Sequence, residues 1–194
     1  TDEFIRMKAR PEMEDLVNRY KPSLYFSDGD GNTPESYWKS RDFLAWLYNE
    51  SPVKEDIVVN DRWGDDTHGQ HGGYLHAGDR NFNITSVMPR KWENALSIDK
   101  HSWGYRTTAS LEDYLSTEEL IRILVQTVSF GGNILINIGP NKEGRIMPIY
   151  EERLLQLGEW LQVNGEAIYE SKLWKHQIDS LNKDVYYTER DGLV

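Results

Sequence analysis

Apolar positions along this chain alternate between helical stripes and short runs of strand length. Met13, Leu16, Val17 and Tyr20 stand at i, i+3, i+4 and i+7, one face of a helix that Pro22 stops. The run Ser23-Leu24-Tyr25-Phe26-Ser27 follows and ends in Asp28-Gly29-Asp30, which reads as a buried parallel strand emerging into a loop. Thr33-Pro34-Glu35 reads as a helix N-cap, a proline at the first helical position and an acid in the first turn. That helix carries Tyr37, Trp38, Phe43, Leu44, Leu47 and Tyr48 and fades before Pro52. Ile57 to Trp63 is a second buried strand with polar residues at its exit. Ser116-Thr117-Glu118-Glu119 is a capping box whose helix turns Leu120, Ile123, Leu124 and Val128 inward and ends at Gly131-Gly132. Asn133 to Pro140 holds a third strand. Pro148 opens a last helix with Ile149, Leu154, Leu157, Trp160 and Leu161 as a core stripe, closed by Asn164-Gly165. Beyond Trp174, Val185-Tyr186-Tyr187 reads as a lone strand with nothing left to pair it. Helix and strand alternating in this way predict an α/β fold.

In α/β folds the carboxyl ends of parallel strands are where catalytic groups collect, so Asp28 is a candidate. A plain turn is the competing reading, since Asp-Gly is a common loop dipeptide. The stretch from Gly64 to Gly78 holds Asp65, Asp66, His68, His71, His76 and five glycines, a length of loop that is usually functional or mobile. Its histidines match no compact ligand spacing, so a ligand-facing or solvated loop is expected rather than a metal site. A metal-dependent hydrolase built on His68 to His76 stays as a rival class. Further on, Glu93 sits beside Trp92, and Gly104 separates Trp103 from Tyr105.

Composition narrows the classes. Seven Trp and eleven Tyr without a basic excess suit stacking on sugar rings. The formal net charge of −10 argues against a nucleic-acid partner. There is no run of 18 apolar residues to span a membrane, and no cysteine for a disulfide framework or a thiolate metal site. The sequons Asn49-Glu50-Ser51 and Asn83-Ile84-Thr85 lean toward a secreted protein, although Pro52 follows the first. The opening Thr-Asp-Glu-Phe, without Met or leader, reads as part of something longer.

Together the motifs carry a resemblance. Phe26-Ser27-Asp28-Gly29-Asp30, Val59-Asn60-Asp61-Arg62-Trp63-Gly64, His71-Gly72-Gly73-Tyr74, Lys91-Trp92-Glu93 and Ser97-Ile98-Asp99-Lys100 resemble the retaining α-L-fucosidases of the animal lysosomal type. Ser102-Trp103-Gly104-Tyr105, Gly131-Gly132-Asn133, Asn137-Ile138-Gly139-Pro140 and Asn164-Gly165-Glu166-Ala167-Ile168-Tyr169 continue the match in the family's order. The resemblance implies a (β/α)8 (TIM) barrel followed by a small β-sandwich. Residues 1–170 would be the C-terminal half of that barrel, and 171–194 a linker and first sandwich strand. An open half-barrel exposes strand edges, so a homo-oligomer or the missing N-terminal half of the barrel is expected as a partner.

The activity implied is release of terminal α-linked L-fucose from glycans with retention of configuration. That chemistry needs a carboxylate nucleophile and a second carboxyl group about 5–5.5 Å away. Asp28 matches the nucleophile motif. Asp79, in the long loop, lies where the closer animal relatives carry the acid/base. It is preferred to Glu93, which fits bacterial relatives and whose Trp92 neighbour would desolvate it. Arg62, Trp92 and His71 match sugar-contacting positions, with an ion pair to Asp61 or Asp65 as the alternative for Arg62. Asp30 is expected to be structural. No cofactor or metal is required, and the location implied is lysosomal or secreted. The alternative is a catalytically inactive fucose-binding or structural homologue.

Overall fold

The computed structural model describes residues 2–29 and 31–194 and divides into two compact units, residues 1–76 and 77–194. The first unit opens with an unbroken helical rod. A short α1 (Asp2–Phe4) passes through a π-helical turn (Ile5–Ala9) into α2 (Arg10–Tyr20). Pro11 explains the wide turn: a proline ring in a helix collides with the carbonyl four residues back, and the turn here bonds Arg10 N–H to Ile5 O, five back. The rod begins well before the predicted stripe. Of that stripe Val17 is buried, whereas Leu16 and Tyr20 are exposed. Lys21 ends α2 in the left-handed conformation, just before Pro22.

β1 (Leu24–Tyr25) and β2 (Val58–Val59) pair in parallel, Leu24 with Val58 and Tyr25 with Val59. Both strands are shorter than their apolar runs predict, and Leu24 is half exposed. The connection between them is helical, as a parallel pair requires. It runs as α3 (Glu35–Trp38), a left-handed break at Lys39, and α4 (Ser40–Asn49). Pro34, not Thr33, is the N-cap of α3. Val17, Phe43, Leu47, Ile57, Val59 and Trp63 form the buried core of this unit. Tyr25, Phe43 and Trp63 pack ring against ring within it, with centroids 5.4–5.8 Å apart.

A three-stranded sheet follows in the order β3 (Leu75–Asp79, which begins in the last two residues of the first unit), β4 (Trp92–Ser97), β5 (Gly132–Asn137). β4 and β5 are parallel and in register from Trp92 opposite Gly132 to Ser97 opposite Asn137. α5 (Thr117–Ser129) crosses between them. Its capping box forms as predicted: the Ser116 hydroxyl accepts from Glu119 N–H while the Glu119 carboxylate accepts from Ser116 N–H. α6 (Pro148–Asn164) lies on α5 and buries Tyr150 and Leu157. Leu96, Ile98, Leu115, Leu120, Ile123 and Tyr150 make the core.

The last segment is not the lone strand that its apolar residues predict. It doubles back on itself through antiparallel bridges, Lys172 to Glu189 and Ile178 to Tyr186, with Tyr187 Oη donating to Asp179 at 2.8 Å. Among the described residues no helix is long and apolar enough to cross a membrane.

Candidate functional site

Asp28 stands three residues past the end of β1, where the parallel pair opens into loops. Its side chain is two-thirds exposed. One oxygen, Oδ1, accepts from Gly29 N–H at 2.8 Å and from Arg62 Nη2 at 2.9 Å. Oδ2 meets no donor among the described residues. Gly29 has φ of +75°, a conformation glycine adopts freely, and this lets the chain turn away directly behind the carboxylate. Arg62 comes from the matching exit of β2, so the parallel pairing itself brings carboxylate and guanidinium together. The arrangement is a largely exposed carboxylate with one oxygen held by two donors at the exit of a parallel strand pair.

The backbone under Asp28 is held by a residue to which the sequence assigned no role. Asn60 is fully buried. Its Oδ1 accepts from Ser27 N–H at 3.0 Å and its Nδ2 donates to Ser27 O at 2.7 Å. This reciprocal pair continues the two-residue ladder one step further through a side chain. Asp61, also buried, accepts from the backbone amides of Gly69 and His76 and so fixes the following loop. Gly72, at φ of +112°, lets that loop lie on the strand, since a Cβ there would come within 2.5 Å of Asn60 O. The only sign of Asn60 in the sequence was a polar residue directly after three apolar ones.

A cavity of about 350 Å³ opens beside Asp28. Trp38, Met13, Phe43 and Trp63 supply its apolar wall, and Ser27, Asp28 and Gly29 part of its rim. His71 does not line it. It is exposed and borders a separate hollow with Tyr48, Thr67 and Trp63. Among the described residues no three His, Asp or Glu side chains come close enough to hold a metal ion. Asp30 lies outside the described residues.

In the second unit Asp79 is the last residue of β3, exposed, at the carboxyl end of its strand. The glycine-rich stretch predicted as one long loop therefore ends in a strand at Leu75, and Asp79 belongs to that strand. Glu93 is the second residue of β4. At about 3.3 Å per residue it lies roughly 13 Å from the carboxyl end of that strand. Burial pushes its carboxyl above the ordinary range, and Oε1 is shut off from solvent with no donor among the described residues. Trp92 points to the opposite side of the strand. It is 2% exposed, packs on Gly132, and donates from Nε1 to Phe130 O at 3.2 Å. A direct sugar contact is not what that position offers.

The loop after β4 is tied down by several bonds. Burial raises the Asp99 carboxyl. The bidentate Arg106 guanidinium, with both bonds at 2.9 Å, and the His101 and Ser102 amides more than offset it, leaving the carboxyl below its ordinary value. Asn137 Nδ2 donates to Trp103 O at 2.8 Å. Of the two sequons, Asn49 spends its amide on Ala45 O at the end of α4, whereas Asn83 is exposed on a loop.

Comparison with known proteins gives a consistent result. A family model described as Alpha-L-fucosidase matches residues 1–166. Tissue alpha-L-fucosidase from Rattus norvegicus is 53% identical over 194 residues, all of this chain and 42% of the relative. Plasma alpha-L-fucosidase from Homo sapiens is 53% identical over 188 residues, 97% of this chain and 40% of the relative. The chain thus spans about two fifths of the length of these curated relatives. Among solved structures, the Thermotoga maritima alpha-fucosidase in complex with fucose superposes with a TM-score of 0.73 at 33% identity, over 90% of this chain and 37% of that one. The Paenibacillus thiaminolyticus isoenzyme 1 shares the fold, with a TM-score of 0.79 at 22% identity over 97% of this chain and 45% of that one.

Proposed function

Because the chain belongs to the alpha-L-fucosidase family, we propose that it forms the later part of a retaining glycoside hydrolase. The enzyme releases terminal α-linked L-fucose from glycoproteins and glycolipids. The observation that carries this reading is Asp28: at a strand exit, one oxygen fixed by Arg62 and Gly29, the other open. Asp28 attacks the anomeric carbon of fucose while an acid protonates the departing glycosidic oxygen. The resulting fucosyl ester is hydrolysed by water, which the same residue, now a base, deprotonates. Two inversions give net retention. Arg62 steadies Asp28 and contacts the sugar.

Asp79 is the acid/base in this reading. It stands exposed at the carboxyl end of its strand, the end at which barrel enzymes gather their catalytic groups. Glu93, the alternative, has the raised carboxyl that an acid needs but sits at the amino end of β4. Residues 1–170 are assigned to the later half of a (β/α)8 barrel, and 171–194 to a linker and the start of a β-sandwich. The short parallel pairs with helical crossovers support the first assignment. The self-paired antiparallel tail supports the second. A lysosomal or secreted location fits the names tissue and plasma of the relatives, and Asn83 is the better placed of the two glycan acceptors. Nothing in the geometry favours an inactive, fucose-binding role.

Asp28→Gly, in enzyme produced at the length of its relatives, tests the assignment. It is expected to lose turnover of an activated aryl fucoside and to regain part of it with azide, yielding the fucosyl azide of inverted configuration. Turnover of Asp28→Asn at the wild-type rate would sink the reading.

A further inference from the structure

Arg80 follows Asp79 directly, and its environment is unusual for a surface arginine. Its backbone is left-handed, with φ of +54°, and its N–H donates to Ala95 O at 2.8 Å, so the turn that carries it is bonded to β4. The guanidinium carbon lies 4.6 Å from the centroid of the Trp103 indole. Two of its nitrogens, Nε and Nη2, are shut off from solvent and have no acceptor among the described residues. Those two donors are undersatisfied, because burying a donor without an acceptor costs free energy that the cation–π contact only partly returns.

The platform beneath Arg80 is rigid. Asn137 holds the Trp103 carbonyl, and Asp99 with Arg106 closes the loop on its far side. Gly139 packs on the Gly104–Tyr105 backbone so tightly that a Cβ would come within 2.5 Å of Tyr105 N. Several independent ties thus fix the backbone that carries the Trp103 indole, and one cation lies on that indole. That is more anchoring than a solvated loop needs.

We propose that Arg80, carried on Trp103, is a specificity-determining residue that binds the sugar being released, donating from its guanidinium to an oxygen of the residue to which fucose is linked. The inference rests on the fucosidase reading and on Asp79 as its acid. An acid must hydrogen-bond the glycosidic oxygen it protonates, so the leaving sugar lies against residue 79, within reach of a long side chain from the next residue. The rotatable stem of Arg80 lets Nη2 leave the indole for an incoming hydroxyl or ring oxygen, and the vacated indole face is then free to stack on the sugar. Neutral oxygens accept from a guanidinium as readily as from any donor and gain from its charge. A leaving group without such oxygens, such as a nitrophenolate, gains nothing from Arg80.

The test compares kcat/KM of wild type and Arg80→Met on a fucosylated oligosaccharide and on an aryl fucoside. The loss on the oligosaccharide is expected to exceed the loss on the aryl fucoside by about 10- to 100-fold, the range for a lost hydrogen bond to a charged group. A second arm uses the wild type alone. Oligosaccharides in which single hydroxyls of the leaving sugar are replaced by hydrogen should include one that loses as much as Arg80→Met does on the parent, and Arg80→Met should not distinguish that pair. Equal losses on both substrate classes would make Arg80 a structural support of Trp103 and overturn the inference, as would wild type indifferent to every deoxygenation. A wild type inactive on all fucosides would instead refute the activity itself, and the inference with it.

Discussion

Asn60→Ala removes two hydrogen bonds with one substitution and tests whether the floor under Asp28 is built from this side chain. Asn60 is fully buried and grips both backbone groups of Ser27, at 3.0 and 2.7 Å. Alanine leaves the Ser27 N–H and C=O facing a gap. A typical intramolecular hydrogen bond is worth about 0.5–1.5 kcal/mol net, and a partner left buried and unpaired costs about 1–3 kcal/mol. Water entering the gap satisfies part of this, so a total of about 2–4 kcal/mol is expected. For a protein of this size each kcal/mol shifts Tm by about 2–4 °C, a fall of roughly 4–16 °C. Activity should fall further than stability suggests. Ser27 precedes Asp28, the proposed nucleophile, and a misplacement near 1 Å of a reacting group costs about 100-fold in rate. Denaturant melts give the first quantity, and kcat on an activated aryl fucoside below the melting range gives the second. Asn60→Asp keeps the acceptor for Ser27 N–H but sets a carboxylate oxygen against Ser27 O, so it should be no better than alanine. A variant that loses under about 0.5 kcal/mol, well below the lost-bond range, or that keeps wild-type kcat, would refute the reasoning.

Three further outcomes are expected. Asp79→Ala should lose far more on natural glycans than on activated aryl fucosides and should respond to azide with the retained product, whereas Glu93→Gln should show neither effect; the reverse pattern moves the acid to Glu93. The folded-state pKa of Glu93 is raised by burial, so its carboxyl favours the fold below its unfolded pKa and that contribution fades as pH rises through the folded value. Melts of Glu93→Gln and wild type should therefore coincide at acid pH and separate in favour of the variant toward neutrality. Asp99 has the opposite sign, its folded pKa being lowered, so its contribution is present above the unfolded value and lost as pH falls through the folded one. Arg106→Met leaves the burial and removes the bidentate partner; its melting deficit should be largest near neutrality and shrink on acidification, and a deficit independent of pH would contradict the bridge.

What the sequence disclosed follows the range of the forces involved. The capping box at Ser116, the stop at Gly131-Gly132 and the start at Pro148 are written within four residues of where they act, and the structure places them there. The break at Lys39 splits an apolar stripe that continues across it, so periodicity alone ran the two helices together. β3 hides in a glycine-rich stretch because its pairing with β4, not its own propensity, makes it a strand. Asp28 and Arg62 were visible because both stand at the ends of apolar runs. The tie from Asn60 to Ser27 spans 33 residues, and no local pattern announces it. The direction of Trp92 away from the Glu93 face follows from strand alternation once β4 is known, and only then.

The π-helical turn at Ile5–Ala9 does more than make room for Pro11. At about 100° per residue, Ile5 and Val17 would stand roughly 120° apart around a regular helix. A wide turn holds about one residue more than a regular one and so sets the phase back by roughly 100°. That brings the two side chains nearly onto one line, and both are buried, at 5% and 0% exposure. The rod therefore behaves as two helices whose faces are aligned by a built-in insertion. A homologous chain of the same length with a regular turn in place of the wide one would keep its helix but turn everything before it by about 100°, a little over a quarter rotation. Ile5 would face water, and Arg6, which lines the cavity beside Asp28, would be carried away from it.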